Sequence, residues 1–154
     1  MKQKKEIVTI SNYQQLAMRT CLPACKNRDY ADFGYWSEWH ELQSKIYGYG
    51  AKKIRGDSEE KLAEVEKSII DEIGDCFWFI ALKCTLNKKY FENIYKMKTK
   101  DLKDVELNIK SLVDELKKYC KEWEVSPLTC MRANIKKLSS RKIRGVITGN
   151  GDNR

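Results

Sequence analysis

Apolar positions recur at helical spacing along nearly the whole chain, and strand-like alternation is absent. Tyr13, Leu16, Ala17 and Cys21 predict a short first helix, capped by Ser11 or Asn12 and ended by Pro23, after a basic lead, Met1 to Thr9, expected to be frayed. Beyond a polar link, Tyr30 to about Ile54 reads as a second helix with Phe33, Trp36, Leu42 and Ile46 available for burial and with Gly48 and Gly50 weakening its far end. Arg55 to Ser58 is a turn, and Asp57 or Ser58 caps a long third helix from Glu59 to about Leu86. That helix is amphipathic through Leu62, Val65 and Ile69, then apolar around its girth from Cys76 to Leu82, which places its second half at the centre of the core.

Residues 87 to 100 read as a helix or an ordered excursion. Asp101 is the expected cap of a fourth helix carrying Val105, Leu107, Ile109, Leu112, Val113, Leu116 and Tyr119, and Ser126-Pro127 opens a fifth, Leu128 to about Arg141. The rest, 142–154, is a glycine-rich basic tail. The pattern predicts one all-α domain, a helical bundle. At 154 residues, 42% hydrophobic and 34% charged, the chain has the size and composition to fold as a single unit.

Charge narrows the partners. The net formal charge of +8 favours anions, whether nucleic acid, anionic lipid or nucleotide phosphates, with the basic residues gathered at the two ends and the acids between Asp57 and Asp75. The longest apolar run, Cys76 to Leu82, is too short to cross a bilayer, and no secretory leader precedes the six cysteines, so a cytoplasmic protein with reduced thiols is expected. The cysteines lack paired zinc-site spacing and read as small buried hydrophobes; the single histidine, His40, is assigned no role.

Candidate chemistry lies in two acidic pairs at i, i+3 spacing, Glu38 with Glu41 and Glu72 with Asp75. Such neighbours project from one helix face, so that two oxygens reach one cation. About three pairs of this kind arise by chance in so charged a chain, so neighbourhood carries the inference. Glu72 and Asp75 sit between Ile69, Ile70 and Ile73 and the run Phe77-Trp78-Phe79-Ile80, where a carboxylate costs several kcal/mol unless paired, protonated or bound to metal. Trp78 and Phe79 belong to that buried run and read as core. Gly74 inside the helix calls for a reason such as close approach of a neighbouring helix. Hard oxygen donors suit Mg²⁺ or Mn²⁺ with phosphate oxygens as further ligands. Asn134, Lys137 and Arg141 fall at i, i+3 and i+7, a row suited to phosphates, with Lys52 and Lys53 as further candidates.

Glu38-Trp-His-Glu41 followed by Glu72-Ile-Gly-Asp75-Cys-Phe-Trp-Phe resembles the ExxE…ExxD signature of MazG-like and dimeric dUTPase-like pyrophosphohydrolases. Asn134-Ile-Lys-Lys137-Leu-Ser-Ser-Arg141 and the ending Gly149-Asn-Gly-Asp-Asn-Arg154 are similar to the family's N-x-x-K-L-x-x-R helix and its glycine-rich Asp-Asn-Arg terminus. The resemblance covers about Tyr13 to Leu86 and Val125 to Arg154, leaving 87–124 as an inserted helical segment on four core helices. It implies Mg²⁺, or Mn²⁺, held by Glu38, Glu41, Glu72 and Asp75; hydrolysis of a nucleoside triphosphate to monophosphate and pyrophosphate; phosphate contacts from Asn134, Lys137, Arg141 and Arg154; and a homodimer or homotetramer. Two rivals stand beside it: a MazG-like helical dimer without catalysis, and a basic nucleic-acid-binding protein, which leaves the buried acids unexplained.

Overall fold

A computed structural model describes residues 6–145, and among these there are six α-helices and no strand. They are α1 (Tyr13–Met18), α2 (Arg28–Arg55), α3 (Glu59–Leu86), α4 (Phe91–Lys96), α5 (Asp104–Glu122) and α6 (Pro127–Ile143). The all-α bundle expected from periodicity is what forms.

Local chemistry explains the ends. The side chain of Asn27 accepts the Tyr30 N–H at 2.8 Å, so α2 starts two residues before the expected Tyr30. It stops at Gly56, whose φ of +78° is the left-handed conformation that a helix C-terminus favours and that glycine adopts without strain. Ser58, and not Asp57, caps α3 by accepting from Lys61 N–H; Asp57 instead pairs with Arg55 at 2.8 Å. Ser126 caps α6, with Pro127 at its first position.

Helix α3 is the axis of the molecule. It packs against α2, α6, α5, α1 and α4, and from Ile69 onward most of its residues are buried, as the all-round apolar run requires. It lies antiparallel to α2, as the descending pairs Asp32–Lys83, Lys45–Glu72 and Tyr49–Glu66 show. Gly34 and Gly74 set the helix spacing. A Cβ on Gly74 would lie 2.5 Å from the Cys130 carbonyl oxygen of α6, so the close approach anticipated for that glycine is present.

Three expectations are corrected. Val8 is buried and its carbonyl accepts from Arg132 at 3.3 Å, so this part of the lead is pinned. Asp101 does not cap α5; it closes a 3-10 turn, Thr99–Asp101, and Lys103 precedes α5 without a side-chain cap. The segment 87–124, read as an inserted helical segment, contributes Phe91, Ile94, Ile109, Val113, Leu116 and Cys120 to the core. Finally, Phe33 and Trp36 of α2 point to solvent, 76% and 46% exposed, while Tyr35 and Leu42 take the core positions. The six cysteines are unpaired and buried, and no described helix is long and apolar enough to cross a membrane.

Candidate metal centre

Glu38 of α2 meets Glu72 and Asp75 of α3 across the antiparallel seam, with one carboxylate oxygen from each lying within 4.8 Å of the others. Donors bound to one Mg²⁺ at 2.0–2.1 Å sit about 2.9 Å apart when cis and about 4.2 Å apart when trans, so gathering these oxygens on one cation asks for side-chain closure of up to about 2 Å. Glu72 is 5% exposed, and its Oε2 is a buried oxygen with no hydrogen-bond donor. An orphaned carboxylate oxygen facing two further carboxyls fits a hard divalent cation.

Electrostatics show how the cluster survives without one. Burial, first, and then the charge of Asp75, a hydrogen bond to Glu72 and the charges of Glu72 and Glu41 push the Glu38 carboxyl up to about 9. At neutral pH Glu38 therefore keeps its proton when no cation is bound. Asp75 is likewise raised by burial, against the opposing pull of Lys137. Two lysines supply the remaining compensation. Lys45 of α2 pairs with Glu72 Oε1, and Lys137 of α6 donates to Asp75 Oδ1 and Oδ2 at 2.7 and 2.6 Å. Asn134 Nδ2 donates to Asp75 Oδ1 at 2.8 Å, while its own Oδ1 accepts from the buried Tyr13 hydroxyl at 3.3 Å. The hydroxyl thus orients the amide, and the amide holds the carboxylate.

The residues anticipated for this chemistry separate into groups. Glu38, Glu72 and Asp75 come together. Glu41 stands on the exposed side of α2, outside the three, although its charge still raises Glu38. Asn134 and Lys137 do reach the site, but they engage Asp75 and do not form an open phosphate-facing row. Arg141 is buried at 5% exposure. Lys53 is exposed and lies fifteen residues beyond Glu38 on the same helix, about 22 Å along its axis from the three acids of its own chain. Arg154 lies outside the described residues. Sequence reading passed over Lys45, whose spacing of seven from Glu38 puts it on the same helix face and was the available signal.

No protein-family model, curated protein or solved structure matches the chain, so the site is interpreted from its own residues. A separate open cleft of about 410 Å³ lies between α2, α3 and α5, lined by residues including Trp36, Lys83 and Asn108; none of the three acids lines it.

Proposed function

We propose that this chain is a metal-dependent nucleoside triphosphate pyrophosphohydrolase of the MazG-like type, converting a (deoxy)nucleoside triphosphate to the monophosphate and pyrophosphate. The observation that carries the reading is the meeting of Glu38, Glu72 and Asp75, with Glu72 buried and its Oε2 donorless. These residues would hold Mg²⁺ or Mn²⁺, joined by Glu41 after a side-chain rotation. A cation bound there supplies charge neutralisation and an acidified water for attack on phosphorus. Glu38 gives up its proton when the site is loaded, becoming the third anionic donor. Lys45 and Lys137, relieved of acids that then face a cation, stand beside the site as ammonium donors for phosphate oxygens. Asn134, fixed by Tyr13, keeps Asp75 aimed at the centre.

The test is incubation with Mg²⁺ or Mn²⁺ and each common ribo- and deoxyribonucleoside triphosphate, with products separated by ion exchange and Glu72→Gln run in parallel. Monophosphate and pyrophosphate, lost in the variant, support the assignment; no turnover of any nucleotide rejects it. One observation favours a second reading. Lys45 and Lys137 already pair with two of the acids, as they would in a MazG-like helical protein whose centre is structural. Metal binding without hydrolysis selects that reading.

A further inference from the structure

Two of the six buried thiols meet where α5 turns back into α6. Cys120, in the last turn of α5, and Cys130, near the start of α6, bring their sulfurs to 4.0 Å, one S–H donating to the other sulfur. A disulfide has its sulfurs about 2.0 Å apart, so about 2 Å separates contact from a bond, a gap that rotation of two short side chains and a small helix adjustment close. The two thiols are not equivalent. The hydrogen bond from Cys130 holds the Cys120 thiol below its ordinary value against the opposing effect of burial, while that same bond, and then burial, raise Cys130. Cys120 is therefore the first of the two to ionise, and a thiolate is the form that attacks an oxidant.

Access to the pair runs through the connection between the helices. Lys121, Glu122, Glu124 and Ser126 are exposed, and Glu124 has a φ of +52°, a left-handed conformation unfavourable for a residue that carries a Cβ. The Cys120 carbonyl accepts from Val125 N–H of this same turn at 3.0 Å. A solvated turn with a strained residue opens at less cost than the core beneath it, and its opening uncovers Cys120 to a small solute. Position gives the pair its consequence. The backbone carbonyl of Cys130 is the group that Gly74 of α3 makes room for, and Asn134 and Lys137, four and seven residues further on the same face of α6, hold Asp75.

We propose that Cys120 and Cys130 are a peroxide-sensitive thiol pair, whose reversible disulfide ties α6 to α5 at the level of Gly74. The oxidant is a hydroperoxide, small enough to enter through the opened turn. The Cys120 thiolate attacks one peroxide oxygen, the O–O bond breaks, and the departing hydroxide takes up the proton lost by the thiol and leaves as water. Cys120 is then a sulfenic acid. The Cys130 sulfur attacks its sulfur, the S–O bond breaks, and the displaced hydroxide leaves as a second water with the Cys130 proton. Two thiols are oxidised to one disulfide, and one hydrogen peroxide is reduced to two waters. A cross-link across so short a connection restricts the hairpin that carries Asn134 and Lys137. The disulfide does not depend on the hydrolase reading.

Treatment of the folded full chain with hydrogen peroxide, followed by intact-mass measurement, tests the pair. A loss of about 2 Da is expected, restored by dithiothreitol. Trypsin should then release Tyr119–Lys121 joined to Glu122–Arg132. Amide hydrogen exchange across residues 123–134 should slow by about tenfold or more in the oxidised protein. In Cys130→Ser, dimedone should trap a sulfenic acid on Cys120; in Cys120→Ser, no adduct should form on Cys130. Circular dichroism checks that both variants fold, and the wild-type mass stands without them. A wild type that loses no mass, a link between other thiols such as Cys21 and Cys25, a disulfide that forms only in urea, or unchanged exchange across 123–134 overturns the proposal.

Discussion

The two halves of α3 carry the same acidic residue types in opposite circumstances. In the first half Glu59, Glu60, Glu64 and Glu66 stand in solvent; a few residues on, Glu72 is buried and Asp75 is 13% exposed at its side chain. Helix formation treats both halves alike, so secondary structure does not separate them. The neighbours do. The first half faces water over most of its surface, while the second is enclosed by α2 and α6, with α5 and α1 completing the core. An exposed carboxylate needs nothing from the fold, but a buried one needs a proton, a lysine or a cation, and this protein provides the first two at one point and geometry suited to the third.

The comparison breaks most severely at Lys137, which lies on the buried side. Lys137→Met removes the ammonium group from Asp75 and leaves Asn134 as its hydrogen-bond donor among the described residues. Breaking a buried pair by deleting one partner costs about 3–5 kcal/mol, and urea unfolding without metal should show a loss in that range. If the site binds cations, millimolar Mn²⁺ should restore much of the stability. An unaltered midpoint would mean that the pair is solvated and the site is not one of buried charge.

Close packing gives the next effect. Gly74→Ala drives a Cβ to within 2.5 Å of the Cys130 carbonyl oxygen, a backbone atom unable to move without shifting α6, and should cost about 1–3 kcal/mol. Gly50→Ala, in open space on α2, should instead stabilise by about 0.5–1 kcal/mol. Thermal unfolding of both variants checks the contrast, and a neutral Gly74→Ala would show that α3 and α6 are further apart than described.

Periodicity made the bundle legible, and an apolar run around a whole helix identified its centre. Burial of Glu72 and Asp75 followed from their neighbours, and so did the purpose of Gly74. What escaped depends on rotation about a helix axis and on side-chain reach. Phe33 and Trp36 looked like core residues because they are large, yet Tyr35 and Leu42 occupy the inner face. Lys45 looked like any solvated lysine until α3 placed Glu72 against it. Asn134 and Lys137 formed a row by spacing, but spacing does not tell whether a row meets phosphate or a carboxylate of its own chain.

The centre should also respond to pH. The folded protein holds the Glu38 proton up to about 9, whereas the ordinary value for this side chain is 4.5, so across that window the folded state binds more protons than the unfolded one. Stability of the metal-free protein should therefore be greatest at the acidic end of the window and fall as pH rises from about 4.5 to about 9. Asp75, raised by burial, contributes with the same sign. Cation binding expels the Glu38 proton, so Mn²⁺ affinity measured by calorimetry should increase by about tenfold per pH unit within the window, and Glu38→Gln should remove that slope.

The smallest effect is the control that gives the others meaning. Glu64 lies on the exposed first half of α3, eight residues before Glu72, and carries the same side chain. Its charge stays in water before and after folding, so Glu64→Gln should move stability by less than about 0.5 kcal/mol and leave Mn²⁺ affinity and its pH slope unchanged. A change as large as that expected for Lys137→Met would show that long-range charge across α3, and not enclosure by α2 and α6, governs the acids. Agreement with the wild type would locate the whole effect at the point where the three carboxyl groups meet.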